Sequence, residues 1–121
     1  MAEAGFWIAW GLPTQGREKQ ALDFLQESRG YLERLEQDRQ IERFDIAILR
    51  PQTTELGGFT LIQGTREQID SLRHDDDFLV WLNRVQLFAD RVGMVDAWVG
   101  EGLTEATDLY DQALRKAGLS P

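Results

Sequence analysis

The chain has 121 residues, about the length of one ordinary domain: enough to bury a core and too few for two. Hydrophobic residues make up 42% and charged residues 28%, a globular usage that excludes a wholly disordered chain. The formal net charge of -8, with no basic cluster to oppose it, argues against nucleic acid as a partner.

The absence of cysteine removes disulfides and thiolate metal sites, and one histidine cannot build a multi-histidine metal centre, so no metal is expected. No apolar run reaches membrane-spanning length, and Phe6 to Trp10 is too short and lacks the basic flank of a leader. The expectation is a soluble cytoplasmic protein.

Taken in order, Phe6-Trp7-Ile8-Ala9-Trp10 is aromatic, short and bounded by Gly5 and Gly11, which predicts a strand. After the turn Leu12 to Gly16, a helix is predicted from Arg17 to Gln37. Ala21, Phe24, Leu25, Ser28, Tyr31, Leu32 and Leu35 share one face of it. Phe44 to Leu49, bounded by Pro51, predicts a second strand with Phe44, Ile46 and Ile48 on one side and Asp45, Ala47 and Leu49 on the other. Beyond Gln52 to Leu56, Phe59 to Gln63 predicts a third strand, flanked by glycines and paired with the second as a hairpin.

Thr65 and Gln68 have the spacing of a capping box, so a helix starts at Arg66. It carries Ile69 and Leu72 and breaks at His74-Asp75-Asp76-Asp77, where short acidic side chains favour a cap. A second helical segment follows, with Phe78, Trp81, Leu82, Val85, Phe88, Ala89 and Val92 on one stripe and Gly93 to end it. Met94 to Val99 predicts a fourth strand. Thr104 is positioned to cap a last helix with Ala106, Leu109, Tyr110, Ala113, Leu114 and Ala117 on one face, an amphipathic tail expected to dock.

The order β-α-β-β-α-β with an added C-terminal helix predicts an α+β fold of the ferredoxin-like split βαβ type: one antiparallel sheet with its helices on one side. Residues 5–102 form this core and 103–121 the extension, within a single domain. Strands 1, 2 and 4 are apolar on both sides, so the face away from the helices needs a cover, and a second copy of the sheet supplies one. The expected dimer face carries Asp45, Ala47, Asp96 and Trp98.

On the Gly-bounded strand Phe6 to Trp10, the Gly58 to Gly64 strand entering a capped helix, and Phe78-x-x-Trp81 ahead of the last strand, residues 5–102 resemble the dimeric α+β barrel superfamily. Its members include cofactor-free monooxygenases of the antibiotic-biosynthesis type and muconolactone-isomerase-like proteins. The resemblance implies a homodimer with two facing sheets and, between sheet and helices, a chamber for a small aromatic substrate, without a cofactor. A haem-degrading relative would carry an Asn on the first strand, which Phe6 to Trp10 lacks. An RNA-recognition module shares the element order, but Gly58 to Gly64 lacks the basic residue and ring positions of the RNP1 pattern.

Two readings of function stand: a cofactor-independent oxygenase or isomerase for a small aromatic or polyketide-like compound, and a non-catalytic ligand-binding or structural dimerisation domain. For the first, His74 is a candidate general base, though a solvated cap at a helix break is the ordinary reading of a histidine beside three aspartates. Asp96 is the second candidate base. Trp7, Asp45, Gln63 and Trp98 are the candidate ligand contacts, with Trp7 and Trp98 expected on one inner face. The ordinary reading of Asp45 and Asp96 is an exposed strand end, or an ion pair with Arg43, Arg50 or Arg91 across the dimer. Trp10 and Trp81 are assigned to the core on the helix side. The site so predicted lies between the sheet and the second helical region, with His74 near its entrance.

Overall fold

The computed structural model describes residues 2–50 and 55–119. Its elements run β1 (Ala4–Trp10), α1 (Glu18–Gln37), β2 (Arg43–Ile48), β3 (Gly58–Gly64), α2 (Arg66–Arg73), α3 (Asp76–Phe88), β4 (Gly93–Trp98) and α4 (Gly102–Lys116). The strands form one sheet in the order β2-β3-β1-β4, every neighbouring pair antiparallel. This is the ferredoxin-like α+β arrangement expected from the order of elements. Pro51 and Gln52 to Thr54, used above to bound β2 and to lead into β3, lie outside the described residues.

The pleat assigns each strand residue to a side. Cross-strand rows Phe44-Ile62-Phe6 and Ile46-Thr60-Ile8 face the helices and are buried or partly buried against them. They meet Phe24, Leu32 and Leu35 of α1, Ile69 and Leu72 of α2, and Phe78, Trp81 and Val85 of α3, which form one core. On the far side lie Asp45-Leu61-Trp7-Val95, Ala47-Phe59-Ala9-Gly93 and Arg43-Gln63-Gly5-Ala97, each row crossing all four strands. Apart from Arg43, Asp45 and Gln63 these side chains are apolar or absent, and no element of the described chain covers them. Trp7 and Phe59 stack there at 4.5 Å between ring centroids.

The break between α2 and α3 forms as the acidic run requires. The Thr65 hydroxyl accepts from Gln68 N at 3.1 Å and the Gln68 carboxamide oxygen from Thr65 N at 2.9 Å, completing the capping box. Eight residues later the chain turns, and the Asp75 carboxylate accepts from Asp77 N at 2.8 Å and Phe78 N at 3.2 Å to start α3.

Three local expectations are corrected. The helical stripe was extended to Val92, but α3 stops at Phe88. Residues 88–90 straighten and pair with 11–14 through Thr14 N to Phe88 O, Asp90 N to Leu12 O and Gly11 N to Asp90 O at 2.8 to 3.0 Å. Those tertiary bonds outweigh continued helix. Thr104 does not cap α4, which starts two residues earlier behind Glu101. And the apolar stripe of α4 is covered only in part by its own subunit: Gly102 is buried and Ala106 and Leu114 half-buried, while Leu109 and Tyr110 are exposed.

Candidate functional site

A cavity of about 520 Å³ lies between the sheet and the helices, at the end where β1 finishes and β3 begins. Ile8, Trp10, Ile46, Ile48 and Thr60 form its sheet wall, Ala21, Phe24, Leu25 and Ser28 of α1 one helical wall, and Trp81, Val85 and Phe88 of α3 the other. The space exists because small residues stand where large ones would close it. Ala21 and Ser28 interrupt the apolar stripe of α1. Leu12, Leu22, Ile48, Leu49 and Leu56 rim the mouth and are exposed, as are the charged rim residues Glu18 and Arg50.

Two hydroxyls face this apolar chamber. Ser28 is buried, and its Oγ accepts the indole N–H of Trp81 at 2.9 Å, tying α1 to α3 across 53 residues of sequence. Thr60 is 3% exposed and sits on the sheet wall opposite. The aromatic walls continue behind the cavity: Phe24 lies 5.2 Å from Phe88 and 6.5 Å from Trp81, centroid to centroid. Arg84 clamps the helical pair from outside, its guanidinium 4.6 Å above the Phe24 ring and bonded to Glu27, which it holds below the usual carboxylate range.

None of the six side chains singled out from the sequence lines this cavity, and the structure does not bring them together. Trp7, Asp45 and Gln63 share the face away from the helices, where the Gln63 amide donates to Asp45 at 3.0 Å and Arg43 pairs with Asp45 at 3.0 Å. Asp96 and Trp98 are on the other face, because β4 pairs with β1 in the register Phe6↔Asp96 and Ala4↔Trp98. The expected common face for Trp7 and Trp98, and for Asp45, Asp96 and Trp98, is therefore corrected. Asp96 sits at the sheet edge beside α2, where Arg73 neutralises it at 2.8 Å while lying over the Phe6 ring. Within the subunit Arg91 pairs with Glu55.

His74 ends α2 in an exposed position, its Nδ1 2.7 Å from the Asp70 carbonyl oxygen. A carbonyl can only accept, so Nδ1 carries the proton and donates. This is a helix-end contact away from the cavity. Among the described residues, no group of three or more His, Cys, Asp or Glu gathers closely enough to hold a metal ion, and no helix is long and apolar enough to cross a membrane.

The acidic run beside His74 acts on Tyr31. Burial against Trp81, with rings 5.8 Å apart, pushes the Tyr31 hydroxyl up to about 12, and the charges of Asp75 and Asp77 push the same way. The raised value means the folded protein keeps this proton when the unfolded chain has released it. Stability is therefore expected to be undiminished by this group below pH 10 and to fall as pH rises through about 12. Urea midpoints measured from pH 9 to 12 check it, and Tyr31→Phe should flatten the decline.

The cavity-forming residues were on the page as sequence: Trp10, Trp81, Phe24 and Ser28 were all placed on helix-side faces. What signals a void is the set of small or polar residues at inward positions, Ala21, Ser28 and Thr60, within otherwise bulky stripes.

No family model matches the chain, and no curated protein is similar to it in sequence. Solved structures do share its fold. A dimeric protein of unknown function and ferredoxin-like fold from Bacteroides fragilis NCTC 9343 superposes with a TM-score of 0.62 at 7% identity, over 79% of this chain and 95% of its own. A dimeric ferredoxin-like protein of unknown function from Jannaschia sp. CCS1 gives a TM-score of 0.62 at 13% identity, over 79% of this chain and 99% of its own. Likeness at such identities establishes the fold alone, and the chain has the ferredoxin-like α+β fold.

Proposed function

We propose that this chain is a homodimeric ferredoxin-like protein that holds a small, flat, largely apolar molecule in the cavity between its sheet and helices, without transforming it. The observation that carries the reading is the cavity itself: about 520 Å³ walled by Trp10, Phe24, Trp81 and Phe88, with Ser28 and Thr60 as the hydroxyl-bearing residues of its lining. That volume falls in the range of roughly 300 to 1,000 Å³ typical of ligand pockets, and aromatic walls with one or two fixed polar groups suit an aromatic ring bearing a hydroxyl or carbonyl. The alternative, a cofactor-independent oxygenase or isomerase, needs a base within reach of the bound molecule. His74 and Asp96 are outside the cavity, which favours binding over chemistry.

Pairing through the uncovered sheet face supports the same reading. Trp7, Phe59, Leu61 and Val95 make an apolar surface of the kind that soluble proteins bury, and the two solved structures similar in fold are described as dimeric.

Calorimetric titration with 1-naphthol tests the binding reading. One saturable site per subunit is expected, and Ala21→Phe, which puts a ring into the space from α1, should weaken binding at least tenfold while leaving the circular dichroism unchanged. Binding insensitive to Ala21→Phe, or no binding to the wild type, would remove the cavity as the site.

A further inference from the structure

We infer that α4 is an arm that packs onto a second copy of this chain, extending the sheet-to-sheet pairing proposed above and resting on it. Ala106, Leu109, Tyr110, Ala113 and Leu114 recur at helical spacing along α4, yet Leu109 is 46% and Tyr110 65% exposed, and among the described residues the polar contacts that fasten the helix to its own subunit gather at its root. There Gly102 lies against the Glu3 backbone with no room for a side chain, Val99 N and Glu101 N donate to Glu3 O and Ala2 O at 3.3 Å, and Arg66 pairs with Glu105. From that root the remaining turns extend with Ala106 and Leu114 half-buried and Leu109, Tyr110 and Ala113 exposed. A lone helix of this length is marginal in water, because nucleation is costly and propensity alone barely offsets it; helices of this size hold by docking an amphipathic face.

Two observations identify a second copy as the surface. The first is continuity: Val99, the residue that leads into the α4 root, packs on the same side of the sheet as Leu61, both close around Gly5, so the uncovered face runs directly into the arm. The second is area. Four strands about 4.8 Å apart, each six or seven residues long at about 3.3 Å per residue, present a plane of roughly 400 Å². A stable interface buries about 800 Å² on each partner. An arm of 15 residues is about 22 Å long and 10 Å wide. In a twofold pair each subunit covers its own arm and the place where its partner's arm lands, adding roughly 400 Å² in total and closing the gap.

Hydrogen exchange and sedimentation equilibrium on the full chain test this. In the wild type, protection of the α4 amides should rise with protein concentration in step with dimer formation. Leu109→Asp, whose side chain is exposed in the isolated subunit, should weaken the dimer at least tenfold and strip protection from α4 while the four strands stay protected. Exchange of α4 that ignores dimerisation, or a dimer unchanged by Leu109→Asp, overturns the inference while leaving sheet pairing intact. A dimer that survives Leu61→Asp but not Leu109→Asp supports the arm and sinks the sheet pairing; a monomeric wild type overturns both.

Discussion

Replacing Leu61 with Asp is expected to turn the dimer into a monomer, raising its dissociation constant at least a hundredfold in sedimentation equilibrium. Leu61 lies in the middle row of the uncovered sheet face, between Asp45 on β2 and Trp7 on β1. Under twofold pairing every substitution appears twice in one interface, so two carboxylates would be buried near the centre against apolar partners and near each other. The subunit itself should tolerate the change, since Leu61 points away from the core formed by Ile62, Phe6 and Ile8. Leu61→Met supplies the control: similar volume, no charge, dimer retained. A Leu61→Asp protein that sediments as the wild type does would show that this face is not the interface.

The fold was legible because its signals are local. Capping at Thr65 and Asp75, period-2 alternation in β2 and the 3.6-residue stripe of α1 each fix an element without knowledge of the rest. The candidate site was not, because it depends on register between strands that are far apart in sequence. In β4, Met94 and Trp98 alternate with Val95 and Ala97, so both sides are apolar and hydrophobicity does not choose between them. What chooses is the pairing of Phe6 with Asp96, made acceptable by Arg73 reaching over from α2, an interaction between residues of three different elements. The same holds for the cavity. Its walls come from five elements, and a void is visible only when all of them are in place.

The break at Asp75 has a structural task that explains the acidic run better than catalysis does. It redirects the chain so that α3, rather than continuing along the axis of α2, lays Phe78, Trp81 and Val85 against the sheet and α1. Trp81 then reaches Ser28, and the cavity gains its second aromatic wall. Tyr31 takes the electrostatic consequence of placing Asp75 and Asp77 near the aromatic layer.

Phe78→Ala is expected to cost about 3–5 kcal/mol of folding stability, the range for deleting a buried ring when its surroundings cannot collapse into the space. Phe78 has no exposed surface and is the largest fully buried side chain of the chain's described core. It touches Phe6 edge-on at 6.0 Å and Trp81 at 5.6 Å, so its loss takes a ring neighbour from each. The neighbours have little freedom to move in: Phe78 N is held by the Asp75 cap, Trp81 is tied to Ser28, and Phe6 is fixed in the central strand. Phe78→Leu, which keeps most of the volume, should cost much less. Because Trp81 is a cavity wall, Phe78→Ala should also weaken 1-naphthol binding at temperatures where the protein remains folded, whereas Phe78→Leu should bind nearly as the wild type does. Urea denaturation followed by tryptophan fluorescence gives the stabilities; a loss under about 1 kcal/mol for Phe78→Ala would mean that the ring does not anchor the core.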